Sequence, residues 1–318
     1  VRSSMNTLSE ALGITCSADI GLMSISYTCF DGESSFSHAL SLTTTGVNTS
    51  RLNRLEHFVS DFPVEGIHMS GEALHSQLDE IERIHGLYSP AALGLASALA
   101  CSAFTFLLGG GPLEMILAFA GAGIGNAIRC KLGKHHFTLF MCIAVSVSSA
   151  CLVYAGFLKL AELLFHISVQ HEAGYICSML FIIPGFPFIT SGIDLAKLDM
   201  RSGLERLAYA IIVVMVAAVS AWLMALLLHL KPVDFLPLEL SAAQRILFRL
   251  LASFCGVFGF SVMFNSPVRL AAAAAFIGAL SNTLRLELVD LAGRFSDRIA
   301  AQLPQRIPGH YFRFFLRI

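Results

Sequence analysis

Apolar and polar positions follow two different rhythms along this chain, and the change falls near residue 90. Before it, short amphipathic stretches alternate with turn signals. Ser4 to Leu12 has a helical pattern, and Ala18 to Phe30 is rich in strand formers. Asp31-Gly32 is a strong hairpin signal, so Ser35 to Thr45 is predicted as the returning strand. Asn48 is placed to cap a helix through Phe62, because Leu52, Leu55, Phe58 and Val59 recur at helical spacing. A second helix is predicted over Gly71 to His85, with Leu74, Leu78, Ile81 and Ile84 on one face.

From Pro90 onward, uncharged runs approach the ~20 apolar residues that a bilayer-crossing helix requires. The predicted crossings are 90–108, 113–129, 137–158, 173–193, 207–229, 246–264 and 268–284. The second and last are short. Between them lie a Gly109-Gly110-Gly111-Pro112 break, a basic loop over 129–136 and an interfacial amphipathic piece over 159–172. A polar loop over 194–206, a connector over 231–241 and an Asn265-Ser266-Pro267 turn complete the set. The fold expected is a polytopic α-helical membrane protein of about seven transmembrane helices with a small N-terminal α/β domain. Its divisions are a soluble domain at 1–89, a first five-helix membrane block at 90–230, a partial second block of two helices at 231–292, and a non-spanning basic tail at 293–318.

Composition sharpens this division. The chain is 55% apolar and 14% charged, against roughly 25% charged in soluble domains. Residues 1–89 hold four Lys/Arg against eleven Asp/Glu. No basic surface suggests a nucleic-acid partner. The eight cysteines form no CxxC pair and read as buried free thiols rather than a disulfide or metal scaffold. No phosphate-binding loop, HExxH or GxSxG appears, so neither an enzyme nor a transport ATPase is expected, and no cofactor or metal.

The densest basic cluster in a short loop is Arg129, Lys131 and Lys134. The positive-inside rule puts it in the cytoplasm, together with the N-terminal domain and the loop bearing Lys197, Arg201 and Arg206. The tail then falls outside although it carries Arg294, Arg298, Arg306, Arg313 and Arg317.

Two segments resemble each other. The second crossing ends Gly125-Asn126-Ala127-Ile128-Arg129, and the seventh ends Ser281-Asn282-Thr283-Leu284-Arg285. Their opposite directions predict an inverted repeat, a common plan among secondary transporters. Ile183-Pro184-Gly185-Phe186-Pro187-Phe188 is similarly echoed by Ile307-Pro308-Gly309-His310-Tyr311-Phe312. The shorter second spacing suggests a block that has lost helices.

Candidate chemistry concentrates at Pro184, Gly185, Phe186 and Pro187. Prolines remove backbone donors, and unwound backbone at membrane depth is tolerated only inside protein or beside a wet cavity. Such broken helices hold substrates or ions in transporters, a structural kink being the bland alternative. Glu114 and Asp194 are candidates for handling protons. Arg129 and Arg285 could face substrate carboxylates, or snorkel to headgroups. Asn126 and Asn282 are polar groups at apolar segment ends, suited to interhelical hydrogen bonds.

Together these features resemble the threonine/serine exporter (ThrE) family. The resemblance is carried by Ala11-Leu12-Gly13, the Asp31-Gly32 hairpin, Val47-Asn48 through Leu55, Gly110-Gly111 with Glu114, and above all Leu180 through Asp194 with Ser202-Gly203-Leu204 and Arg206. Gly259 through Arg269 and Ile277-Gly278 resemble the family's smaller companion half. The family implies ten helices as five plus five, a cytoplasmic N-terminal domain in the inner (plasma) membrane, and proton-coupled export of threonine and serine. Some relatives imply dicarboxylate export instead. Expected partners are a small polar substrate, the lipid bilayer, and either a companion membrane chain or a second copy. A truncated, non-transporting interaction protein is the reading from another class.

Overall fold

The computed structural model describes residues 2–42, 46–84, 86–135, 137–166, 171–230, 234–236 and 238–302, with side chains as far as Gly293. The N-terminal domain contains α1 (Arg2–Ala11), then β1 (Thr15–Ile20), β2 (Ser24–Phe30) and β3 (Ser35–Ser41), then α2 (Thr49–Asp61) and α3 (Gly71–Glu82). The strands form one antiparallel sheet in the order β1-β2-β3. Ala18 to Phe30 is therefore two strands rather than one. The chain reverses where the Gly21 N–H donates to the Ser24 carbonyl at 2.8 Å. The cause is tertiary: the Leu22 N–H donates to Glu205 at 2.6 Å, and a Cβ on Gly21 would lie 2.7 Å from the same carboxylate.

The other turn follows local chemistry. The Asp31 carboxylate accepts the N–H groups of Glu33 and Ser34 at 2.9 and 2.7 Å, closing the β2–β3 hairpin. The Ser34 bond first, then that of Glu33, holds the Asp31 carboxyl below its ordinary range. This contribution is full above the unfolded aspartate value and fades as pH falls through the lowered one. Asn48 caps α2 as expected, its side chain accepting the Arg51 N–H at 3.1 Å.

The membrane part comprises α4 (Pro90–Leu107), α5 (Pro112–Lys134), α6 (Leu139–Phe165), the single turn α7 (Gly174–Cys177), α8 (Gly185–Ala196), α9 (Met200–Leu227), α10 (Ala242–Met263) and α11 (Val268–Gln302). Among the described residues, α4, α5, α6, α9, α10 and α11 are long and apolar enough to cross a membrane. The pair Gly174–Ile182 and Gly185–Ala196, bent by 57°, makes a seventh if taken as one span.

Several helices run past their predicted ends because their charges are accommodated. α6 continues through Lys159, which pairs with Glu162 at 3.6 Å, so no separate interfacial piece begins there. α5 continues to Lys134, shortening the basic loop. α9 begins at Met200, with Arg201 and Glu205 paired along its first turns at 3.0 Å, and the polar loop shrinks to a few residues. α11 continues to Gln302: Glu287 and Asp290 meet Arg249 of α10 at 2.6 and 2.9 Å. Beyond Gln302, including the Ile307–Phe312 echo, the tail lies outside the described residues.

The N-terminal domain fixes the direction of each crossing. Ser202 donates to the Ile20 carbonyl at 2.7 Å, Arg2 meets Asp199 at 2.5 Å, and Arg201 meets Asp19. On a second front, Thr49 binds the Phe264 carbonyl at 3.0 Å and Tyr88 donates to the Ser266 carbonyl at 2.6 Å. Asn265 accepts the Leu87 N–H at 2.6 Å and donates to Asn48 at 2.7 Å. The start of α4, the α8–α9 junction and the α10–α11 turn thus share the domain's side of the membrane. α6 leaves that side and α9 starts from it again, so the broken α7–α8 pair must return the chain across. Replacing Ser202 and Glu205 together with alanine is expected to loosen the domain, seen as faster proteolytic release of residues before Pro90 in detergent.

Candidate functional site

The broken span owes its shape to its two prolines. Pro184 has φ −82° and ψ 61°, an inverse γ-turn closed by the Gly185 N–H on the Ile183 carbonyl at 2.9 Å. α8 then starts at Gly185, which puts Pro187 in its first turn, where a missing N–H costs least. The 3₁₀ turn Leu180–Ile182 precedes the break. Among the described residues, the carbonyls of Phe181 and Ile182 accept no hydrogen bond, and the Phe186 N–H finds no backbone acceptor. The twelve residues of α8 cover about 18 Å at 1.5 Å per residue. That places the break near the middle of a hydrocarbon core about 30 Å thick.

α5 passes beside this break: a Cβ on Gly125 would come within 3.0 Å of the Phe181 ring. Asn126, 1% exposed, donates to the Leu93 carbonyl of α4 at 2.9 Å, while its own side-chain oxygen is buried without a partner. One turn further, Arg129 is half-buried and has no hydrogen bond or ion pair among the described residues. A lone guanidinium inside an apolar bundle is a standing request for an anion.

The remaining expected residues fall elsewhere. Asp194 lies on α8 and pairs with Arg206 of α9 at 3.3 Å, near the N-terminal domain. Asn282 donates to Ser253 of α10 at 2.8 Å and accepts from Arg285 at 2.9 Å. Arg285 is exposed on the outer face of α11 rather than turned into the bundle. Asn126 and Asn282 each sit fourteen residues past the first residue of their helices, Pro112 and Val268. Each donates to the preceding helix of its hairpin, and the two hairpins run in opposite directions across the membrane.

Glu114 occupies the far end of α5. It is 2% exposed. One carboxylate oxygen accepts the Gly111 N–H at 2.9 Å, as a helix-capping acid does, and the other lies 2.7 Å from Nδ1 of His171. Tyr154, fully buried on α6, donates to the His171 carbonyl at 2.7 Å. The sequence pattern did not single out His171 or Tyr154. A lone histidine at the edge of an apolar run was the available signal for the first, and a core tyrosine carries none.

The family model ThrE, "Putative threonine/serine exporter", matches residues 1–229. No curated protein and no solved structure matches the chain.

Proposed function

Because the chain belongs to the threonine/serine exporter (ThrE) family, we propose that it is a gradient-driven exporter of small zwitterionic amino acids, threonine or serine, from the cytoplasm across the plasma membrane. The observation that carries the reading is the pair of unpartnered carbonyls, Phe181 and Ile182, at mid-membrane beside the break. Carbonyl oxygens suit an α-ammonium or hydroxyl. The Phe186 N–H and the half-buried Arg129 suit an α-carboxylate. A dicarboxylate fits less well, since its second anionic end would meet those carbonyls. Among the acids, Glu114 is the better proton carrier, because Asp194 already neutralises Arg206.

The orientation rests on Arg129, Lys131 and Lys134, which lie at the end of α5 on the N-terminal domain's side. The positive-inside rule makes that side cytoplasmic. Substrate then enters from the side where the N-terminal domain grips the α8–α9 junction.

The test is a double substitution, Pro184→Ala with Pro187→Ala. It restores two N–H donors, lets α8 extend backward and covers the free carbonyls. Efflux of labelled threonine or serine from loaded proteoliposomes is expected to fall to the protein-free rate. An unchanged rate would remove the substrate from this position.

A further inference from the structure

We infer that Glu114 and His171 together form the proton-binding site of the transport cycle, reached from the membrane face opposite the N-terminal domain, with Tyr154 as its positioning residue. This rests on the exporter reading above. It adds a location, an entry route and a histidine that neither the sequence pattern nor the family match assigns.

Burial and charge lead to it. Glu114 is enclosed at the start of α5, and its polar contacts are one backbone N–H and one imidazole nitrogen. An ionised carboxylate held this way leaves a net negative charge in a desolvated place, and a single proton removes it. Among the described residues, no lysine or arginine pairs with Glu114. α6 brings Tyr154, and the broken span brings Cys177, which also interacts with Thr105 of α4. Asp234, Glu239 and His229 at the same end of the bundle are exposed. Glu172, beside His171, is half-buried and has an interaction of its own. Within the buried pair itself, the net charge turns on one proton shared between Glu114 and His171.

His171 is the member of the pair that reaches the surface, its side chain 15% exposed against 2% for Glu114. A proton arriving at Nε2 can be matched by release of the Nδ1 proton to the near oxygen of Glu114. One N–H bond forms, one breaks and one O–H bond forms, leaving a neutral acid and a neutral imidazole of the other tautomer. The ring must stay aimed for this to occur. Tyr154 fixes the backbone that carries it, and Gly174 is required beside that hydroxyl, since a Cβ there would lie 2.0 Å from the tyrosine oxygen. The site and the break also share an element. Cys177 of α7 faces Glu114, and the free carbonyls follow a few residues on. Protonation at one end of the broken span thereby acts on the segment that holds substrate.

The experiment uses the full chain in proteoliposomes with two readouts. Infrared difference titration of the substrate-free protein should show a protonated-carboxyl band that Glu114→Gln removes and His171→Gln displaces along the pH axis. In transport, Glu114→Gln should lose labelled-threonine movement driven by a pH gradient. Tyr154→Phe should slow gradient-driven movement and leave the carboxyl band in place. A wild-type protein with no titrating carboxyl band, or a Glu114→Gln protein with intact gradient-driven movement, overturns the proposal. A titrating band that depends on Glu114 and His171 in a protein that moves neither threonine nor serine would instead overturn the exporter reading and leave the proton site standing.

Discussion

Arg129→Ala is expected to weaken substrate handling by roughly thirtyfold or more in apparent affinity, the equivalent of about 2 kcal/mol for truncating one partner of a buried charge pair. The variant should still insert and fold, because the guanidinium satisfies no protein group among the described residues. Its removal leaves no orphaned carboxylate behind. Arg129→Lys should recover part of the loss. A lysine keeps the charge but not the planar fork that meets a carboxylate with two parallel bonds. Arg285→Ala is the control. That residue lies exposed on α11 and, among the described residues, bonds to Asn282 three positions earlier, so efflux should not change. The measurement is the concentration dependence of labelled threonine and serine efflux from proteoliposomes. Equal behaviour of the two alanine variants would mean that Arg129 serves only to snorkel toward the headgroups.

The contrast between those arginines shows where sequence reading stops. Asn-x-(Ile/Leu)-Arg at both helix ends made Arg129 and Arg285 equivalent candidates. What separates them is the number of helices packed around each. α5 is surrounded by α4, α6 and the broken span, whereas α11 leans mainly on α10, its Ala271 clustering with Ala96 of α4. No local pattern encodes that difference. The break at Pro184–Pro187 was legible because its cause is local: two missing donors prevent a continuous helix wherever they occur. The caps at Asn48 and the Asp31 turn were legible for the same reason.

Some misread boundaries follow from neighbouring charge pairs, as in α6 and α9, but the others depend on partners distant in the chain. The turn inside Ala18–Phe30 exists because Glu205 reaches it from α9. α11 passes its charged residues because Arg249 of α10 neutralises them. His171 escaped notice since its importance comes from Glu114, which precedes it by 57 residues. Charges that end a helix in a one-dimensional reading become interior positions once an opposite charge faces them.

Gly259→Leu is the substitution expected to damage the architecture most. A Cβ at this position of α10 would lie 2.5 Å from the Ala96 carbonyl oxygen and 3.1 Å from the Ala100 nitrogen of α4. Both are helix backbone and cannot turn aside, so the two helices must move apart. In a bilayer no hydrophobic gain between helices offsets that separation, and close backbone approach at small residues is what joins them. The α10–α11 hairpin is the less enclosed part of the bundle, with 28% and 17% of its two spans buried. Its other contacts include the ring pair Phe104–Phe260, centroids 5.4 Å apart, that of Phe106 with Phe248 at 6.0 Å, and the polar clasp of Thr49, Tyr88 and Asn265 at the α10–α11 turn. Overpacking of this kind costs about 1–3 kcal/mol in soluble cores, and more is expected where the obstacle is backbone. Gly278→Leu should be milder, because its Cβ would meet the side chain of Val257 at 2.8 Å, which can rotate. Thermal unfolding in detergent should rank the proteins wild type, Gly278→Leu, Gly259→Leu. Threonine exchange should fall in the same order, since α4 carries both the hairpin and the carbonyl that Asn126 binds. A Gly259→Leu protein with wild-type thermal stability would show that the hairpin does not pack on α4 through this glycine.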